Sequence, residues 1–246
     1  MRLPTVSVLI PTLNSARTLD WCLASIIEQD YPQERVEIIV ADGGSRDRTP
    51  QLARGYGAKV IENRLGTGEA GKAAALRCAR HDLVAMVDSD NILPQRDWLK
   101  KMVAPFAEDE QIVGSEPWEF TRRDGDPPIT RYCAMLGMND PICHFIGNYD
   151  RMNMLTETWT SLPVNVTDGE EFMTIKLEVG LLPTIGANGT IWRRDALVAW
   201  THRDYLFDID VLGDLAGSDH RRFAKVKIGI VHLYASGLRQ LFVINY

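Results

Sequence analysis

The first half of the chain alternates short apolar runs with amphipathic stretches, and this alternation constrains the fold more than any other feature of the sequence. Four runs rich in β-branched residues predict strands: TVSVLIP (5 to 11), VEIIVAD (36 to 42), AKVIEN (58 to 63) and DLVAMVD (82 to 88). The stretch from 15 to 29 predicts a helix whose apolar face is formed by Leu19, Cys22, Leu23, Ile26 and Ile27. Such alternation predicts an α/β fold with a mostly parallel sheet flanked by helices, which binds ligands at the carboxyl ends of its strands.

The alternation ends after Trp118, but nothing in the second half resembles a linker or an internal repeat. The chain has 246 residues, of which 45% are hydrophobic and 24% charged, enough to bury the core of one large domain. We therefore expect a single domain over residues 1 to 246. The formal net charge of -6 argues against nucleic acid as a partner, because binding a phosphate backbone requires a basic surface.

The cysteines and the chain ends bear on location. The four cysteines form no C-x-x-C pair, which favours a reducing cytosol over a disulfide framework. The apolar run at the N-terminus stops at Pro11, so it predicts neither a signal peptide nor a spanning helix. The last residues, SGLRQLFVINY, are open to two interpretations: a terminal segment docked on the domain, or one that rests on the inner face of a membrane. We expect a cytoplasmic protein in either case.

Three of the predicted strands end on polar segments: Pro11-Thr12-Leu13-Asn14, Asp42-Gly43-Gly44-Ser45 and Asp88-Ser89-Asp90-Asn91. Asp42 could accept hydrogen bonds from a base or a ribose, or it could simply form an Asp-Gly turn. Asp88 and Asp90 flank one residue, so an extended backbone would point both carboxylates to the same side, where they could grip a divalent cation. The alternative for this pair is a cap for the helix that follows.

The segment RLGTGEAGK (64 to 72) matches two phosphate-binding patterns at once, and we reject both. A P-loop needs Ser or Thr after its lysine, whereas this chain has Ala73 after Lys72. A dinucleotide fingerprint should follow the first strand of its unit, whereas this one follows the third. Lys72 therefore either serves another phosphate contact or lies on the surface at the start of a helix.

Five segments, in this order, resemble the successive motifs of family 2 glycosyltransferases with the Rossmann-like GT-A fold: VSVLIPTLN, VEIIVADGGSRDRT, GKAAALRCA, DLVAMVDSDNIL and IGANGTIWRRDAL. The resemblance covers nearly the whole chain. It implies a glycosyltransferase of the hexosyltransferase type with a nucleotide-sugar donor and a bound Mg²⁺ or Mn²⁺. Residues 1 to 118 would then form the donor half, and residues 119 to 246 the acceptor half.

The resemblance also implies roles for individual residues. Asp90 of the D-x-D motif and His232, which ends a late apolar strand, would hold the metal. Lys72 would reach the donor phosphates. The residues expected to line the donor site are Pro11, Thr12, Asn14, Asp42, Lys72, Asp88, Ser89, Gly186, Ala187 and Asn188.

The general base is expected C-terminal to the GANG segment, in an acidic pair. The matching stretch, YLFDIDVLGDLA, separates Asp208 and Asp210 by one residue, and we prefer Asp210 as the base, with Asp208 as the alternative. Both could instead serve only as first-turn charges of a helix. Three tryptophans, Trp118, Trp159 and Trp192, could stack on a sugar or belong to the core.

The resemblance thus implies a metal-dependent inverting enzyme that moves a sugar from a UDP- or GDP-sugar to a hydroxyl group of an acceptor, which we expect to be a lipid-linked molecule or a glycan. Two alternatives stay open. A sugar-nucleotide pyrophosphorylase would share the nucleotide-binding layout, but PTLNSART lacks the glycine-rich loop of that class. A nucleotide-sugar sensor or degenerate subunit would bind the donor without turnover.

Overall fold

The computed structural model describes residues 3–139, 142–186, 188–218 and 222–235. The strands are β1 (Val6–Thr12), β2 (Val36–Asp42), β3 (Lys59–Glu62), β4 (Leu83–Met86), β5 (Asn91–Ile92), β6 (Ile112–Phe120), β7 (Asn148–Asn153), β8 (Thr158–Thr160), β9 (Asn165–Asp168), β10 (Phe172–Lys176), β11 (Thr190–Arg193) and β12 (Arg222–His232). The helices are α1 (Ala16–Ile27), α2 (Thr49–Gly55), α3 (Gly68–Leu76), α4 (Trp98–Val103), α5 (Pro105–Glu108), α6 (Pro128–Leu136), α7 (Ile142–Ile146) and α8 (Asp208–Ala216). Short 3-10 helices cover Gln33–Arg35 and Asp195–Trp200.

Within the described residues, the central sheet has ten strands. Its main path runs β3-β2-β1-β4-β11-β6-β12-β10-β9, and β5 pairs with β12. The strands of the first half, β3, β2, β1 and β4, pair in parallel, as the alternation of strands and helices predicts. The predicted α/β fold with a central sheet flanked by helices is thus confirmed.

The second half adds strands in both directions. Strand β11 inserts antiparallel between β4 and β6, while β12 runs parallel to β6. Because β11 is antiparallel to β4, the loop that precedes Thr190 lies beside the carboxyl end of β4, where Thr190 pairs with Met86. The antiparallel strand therefore brings a loop from the second half to the carboxyl-end edge of the first.

Apolar clusters cover both faces of the sheet. Helices α1 and α4 contribute to one cluster, and α3 and α8 to the other. In α1, four of the five apolar residues predicted to share a face are buried, but Ile27 is 39% exposed. Successive residues differ by about 100° around a helix, which puts Ile27 at the edge of the apolar stripe and outside the contact.

Two findings concern the membrane. Within the part of the chain that the structure describes, no helix combines the length and the apolar character needed to span a bilayer. The C-terminal segment 236–246, for which we predicted docking or membrane contact, lies outside the described residues.

Candidate active site

The ends of β1 and β2 are joined through the carboxylate of Asp42, which is buried. Its Oδ1 accepts hydrogen bonds from Thr12 Oγ1 at 3.0 Å and Ser45 Oγ at 2.6 Å. Its Oδ2 accepts from the backbone N–H groups of Gly44 at 3.1 Å and Ser45 at 2.9 Å. Asp42 thus forms the Asp-Gly turn that we gave as the alternative to a ligand contact. Its hydrogen bonds hold Asp42 and Thr12 at the carboxyl edge of the sheet.

The neighbouring loop residues are linked in the same way. Asn14 is exposed and has a positive φ of 51°; its Oδ1 accepts from the Arg46 N–H at 2.9 Å. Ser89 Oγ donates to Ser15 Oγ at 3.0 Å. Pro11 is buried under α3, where a Cβ added to Gly71 would lie 2.7 Å from the Cβ of Pro11.

Lys72 extends from α3 to a position between two carboxylates. Its Nζ lies 3.9 Å from Asp88 Oδ1 and 3.8 Å from Asp208 Oδ2, and only 7% of its side chain is exposed. Burial alone would lower the pKa of the ammonium, but Asp88 and Asp208 outweigh it and hold the pKa above its ordinary value. Lys72 is therefore a buried, charged lysine and not a surface residue.

The D-x-D segment is a turn, so the extended backbone that we assumed for it is wrong. The Asn91 N–H donates to the Asp88 carbonyl at 2.9 Å, and the Asp88 N–H donates to Asn91 Oδ1 at 3.0 Å. The turn separates the contacts of the two carboxylates, since Asp88 approaches Lys72 while Asp90 approaches His232.

Asp90 and His232 meet at the carboxyl edge, with 3.4 Å between Asp90 Oδ2 and His232 Nε2. Burial would lower the pKa of His232, but the adjacent Asp90 raises it, and the histidine in turn lowers the pKa of Asp90. The buried Nδ1 of His232 has no hydrogen-bond partner among the described residues. Phe120 and Tyr234 flank the imidazole ring.

One carboxylate oxygen and one imidazole nitrogen can both bind a divalent cation such as Mn²⁺, so the residues present fit the expected metal as a partial site. The described residues contain no group of three or more His, Cys, Asp or Glu side chains that could hold a metal. A cation between Asp90 and His232 would therefore take its other ligands from a bound molecule or water.

The loop 186–189 lies against the same edge. Asn91 Nδ2 donates to Asn188 Oδ1 at 2.9 Å, and the Gly189 N–H donates to the Met86 carbonyl at 2.7 Å. Gly186 has a φ of 132°, and a Cβ there would lie 2.2 Å from the Cβ of Asp208. Only glycine allows this approach. Ala187 lies outside the described residues.

The acidic pair of α8 is split by the helix. Asp208, the first helical residue, reaches Lys72, whereas Asp210 is exposed and forms no ion pair within the described chain. Residues two apart on a helix differ by about 200°, so the two carboxylates point in nearly opposite directions. The structure therefore brings Asp208, and not the preferred Asp210, to Lys72 and Asp88.

A buried charged cluster escaped the sequence analysis. Glu116, Arg151 and Lys225 are fully buried; Arg151 Nη1 lies 2.7 Å and Lys225 Nζ 2.5 Å from the Glu116 carboxylate. The sequence does show Glu116 inside an apolar strand. A buried glutamate needs an oppositely charged or hydrogen-bonding partner, but the sequence alone does not identify that partner. Trp192 and Trp159 are buried, and Lys225 Nζ lies over the Trp159 ring, so these two tryptophans belong to the core.

The family model described as "Glycosyl transferase family 2" matches residues 7–163. The glycosyltransferase AglE of Haloferax volcanii is 29% identical over 143 residues, which are 55% of this chain and 46% of that protein. The chondroitin synthase of Pasteurella multocida is 31% identical over 123 residues, 47% of this chain and 12% of that protein. The matched region thus spans less than half of the length of these curated relatives.

Two solved structures share the fold. The mannosyltransferase PcManGT from Pyrobaculum calidifontis, in complex with GDP-Man and Mn²⁺, superposes with a TM-score of 0.61 at 20% identity, over 96% of this chain and 58% of that one. TarS 1-349 of S. aureus, in complex with UDP-GlcNAc, also gives 0.61, at 19% identity, over 96% of this chain and 60% of that one. At these identities the likeness is one of fold.

Proposed function

Because the chain belongs to glycosyl transferase family 2 and has the GT-A fold, we propose that it transfers a sugar from a nucleoside-diphosphate sugar to a hydroxyl group of an acceptor. One observation carries the proposal: the buried Lys72 holds Asp208 and Asp88 at the carboxyl edge of the sheet. Two carboxylates are thereby held beside one ammonium group at the place where α/β sheets bind nucleotides.

The donor is a UDP- or GDP-sugar. Thr12, Asn14 and Asp42 fix the loops after β1 and β2, where the nucleoside would lie. The diphosphate would lie beside the turn from Asp88 to Asn91. The structural neighbours hold UDP-GlcNAc and GDP-Man, so both nucleotides suit this fold.

Asp208 is the general base, which reverses the sequence-based preference for Asp210. Its Oδ2 takes the proton from the acceptor hydroxyl while the hydroxyl oxygen forms a bond to the anomeric carbon. The bond from that carbon to the diphosphate breaks, and the diphosphate leaves with the electron pair. A single displacement of this kind inverts the anomeric configuration. Lys72 Nζ, 3.8 Å from Asp208 Oδ2, would hold this carboxylate in place for the proton transfer.

Asp90 and His232 would hold the divalent cation, Mg²⁺ or Mn²⁺, and the mixed oxygen and nitrogen donors favour Mn²⁺. When bound, the cation supplies charge compensation for the departing diphosphate. Asp90 Oδ2 and His232 Nε2 lie 3.4 Å apart, so the two groups are close enough to bind the same cation.

The acceptor is a lipid-linked or glycan molecule with apolar or sugar-ring surface. Tyr205 and Phe207 are exposed and stacked, with ring centroids 6.0 Å apart, and Ile209 beside them is 56% exposed. These side chains flank Asp208 in sequence. Exposed aromatic rings suit sugar faces and lipid chains alike, and they would place the acceptor hydroxyl next to the base.

The decisive experiment combines titration calorimetry with UDP and GDP, in the presence of Mn²⁺, with a hydrolysis assay on GDP-mannose and UDP-GlcNAc. We expect one nucleotide to bind and its sugar conjugate to be turned over. Binding without hydrolysis or transfer to any acceptor would instead identify a nucleotide-sugar sensor. Release of nucleoside triphosphate on addition of pyrophosphate would identify a pyrophosphorylase.

A further inference from the structure

The cluster of Glu116, Arg151 and Lys225 lies directly behind the loop 186–189. Glu116 and Lys225 are register partners on the neighbouring strands β6 and β12, and Arg151 reaches them from β7. All three side chains are inaccessible to solvent. Lys225 Nζ also lies 3.9 Å from the centroid of the Trp159 ring, which closes the cluster on its far side.

Two members of the cluster bond to the backbone of the loop. Glu116 Oε2 accepts a hydrogen bond from the Gly186 N–H at 3.2 Å. Arg151 Nη2 donates to the Asn188 carbonyl at 3.0 Å. The contacts fall on either side of position 187, so the cluster holds the loop at two points.

The position of Gly186 in turn restricts the position of Asp208. The Cα of Gly186 packs so closely on Asp208 that an added Cβ would overlap its side chain. A shift of Gly186 would therefore move Asp208 relative to Lys72. The loop also contacts the turn after β4, where Asn91 Nδ2 donates to Asn188 Oδ1 at 2.9 Å. Thr12 and Asp42, in contrast, are fixed by bonds between β1 and β2 and do not contact the loop in this way.

Stability is a poor reason for such a cluster. Burying three charges carries a large desolvation cost, and apolar side chains of similar volume are commonly as stable or more so. That cost shows in the titration of Lys225: burial and Arg151 lower its pKa to about 8 against the opposing effect of Glu116 and Asp150. Apolar side chains could not form the hydrogen bonds to the loop backbone, and these bonds are the better explanation for the buried charges.

We propose that Glu116, Arg151 and Lys225 are positioning residues, which fix the loop 186–189 and thereby orient Asp208 toward the acceptor. This inference rests on the proposed function. It predicts a separation of effects: damage to the cluster slows turnover and leaves nucleotide binding intact.

Arg151→Met is the test variant, because it removes the bond to the Asn188 carbonyl while leaving Glu116 and Lys225 as a balanced pair. Arg151→Lys, which keeps the charge but lacks the forked donors, is the second variant should the first fail to fold. Arg193→Met is the matched control. Arg193 also donates to two backbone carbonyls, those of Ile112 at 2.8 Å and Phe106 at 3.0 Å, at the opposite end of β11.

Amide hydrogen exchange of the wild-type and variant chains reads the loop directly and needs no activity. We expect exchange in peptides covering 183–190 to rise at least tenfold in Arg151→Met and to stay unchanged in Arg193→Met. Unchanged exchange there, or a uniform rise across the whole sheet, would overturn the positioning role.

Enzyme kinetics test whether the change in the loop impairs the role of Asp208. With Mn²⁺ present, we expect kcat for hydrolysis of the turned-over donor to fall at least tenfold in Arg151→Met, while the Kd of UDP or GDP changes by less than twofold. An equal change in both quantities would overturn the inference. A wild type that binds neither nucleotide would contradict the proposed function, and the exchange result would still decide whether the cluster fixes the loop.

Discussion

The ammonium of Lys72 lies 3.8 Å from Oδ2 of Asp208, and this contact joins α3 of the first half to the first turn of α8. It lies at the edge where β1, β2 and β4 end. Of the two carboxylates at the start of α8, only Asp208 contacts Lys72 within the described residues, since Asp210 points away and is exposed. The proposed chemistry depends on this contact.

Replacing Asp208 by Asn should remove the base and keep the shape of the side chain. We expect kcat for transfer to fall by about 10²–10⁴-fold, the usual contribution of general base catalysis, with the Kd of the nucleotide nearly unchanged. Steady-state kinetics together with calorimetry check this. The matched control is Asp210→Asn, which should retain wild-type turnover; if it instead loses activity while Asp208→Asn does not, Asp210 is the base.

Removing the metal should weaken donor binding. We expect chelation by EDTA to lower the affinity for UDP or GDP, and Mn²⁺ to restore it, because the cation that Asp90 and His232 would hold compensates the charge of the diphosphate. Asp90→Asn should abolish the Mn²⁺-dependent gain. The control is Asp97→Asn, a half-exposed carboxylate that pairs with Lys101 on α4. Full Mn²⁺-dependent binding by Asp90→Asn would argue against this metal site.

Gly71→Ala should destabilise the protein, although Gly71 belongs to the G-x-G-x-x-G pattern only by coincidence. An added Cβ would lie 2.7 Å from the Cβ of Pro11, so α3 would have to move off β1. Overpacking of this kind costs about 1–3 kcal/mol. Urea unfolding measures the loss.

Gly68→Ala is the control for that experiment. No atom lies within 4 Å of the Cβ it would gain, so we expect no loss and a gain of up to about 1 kcal/mol from the higher helix propensity of alanine. Equal losses in the two variants would show that the pattern as a whole, and not the contact with Pro11, determines stability.

Glu37→Gln should make stability less sensitive to acid. Burial would raise the pKa of Glu37, but hydrogen bonds from Ser7 and Arg80 outweigh it and lower the pKa below its ordinary value of 4.5. The unfolded chain therefore binds the proton at a higher pH than the folded chain does. This contribution is complete above about pH 4.5 and is lost as the pH falls through the pKa of the folded state.

We expect Glu37→Gln to be less stable than the wild type by about 2 kcal/mol at pH 7, the scale of hydrogen bonds to a charged group. The difference should shrink as the pH falls below 4.5. Urea unfolding at pH 7 and at successively lower pH measures it. A difference that stays constant with pH would show that the ionised carboxylate is not what stabilises this contact.

Local sequence patterns predicted the structural features that depend on residues close together along the chain. The four strands of the first half, helix α1 and the family follow from apolar periodicity and from motifs in a fixed order, and the structure and the family match confirm them. The convergence of Thr12, Asp42 and Asp88 at one edge also follows, because parallel strands end on the same side of a sheet. The turn at Asp88 to Asn91 was missed because a D-x-D pattern does not determine its own backbone.

The sequence by itself thus determined the fold class, the family and the edge at which a ligand would bind. Only the tertiary structure decided that Asp208 meets Lys72 and that Glu116, Arg151 and Lys225 form one buried cluster. The physical reason is that these contacts join side chains far apart in sequence, through the antiparallel insertion of β11 and the pairing of β6 with β12. Local periodicity carries no information about such pairings, whereas burial makes them the contacts with the largest electrostatic effect.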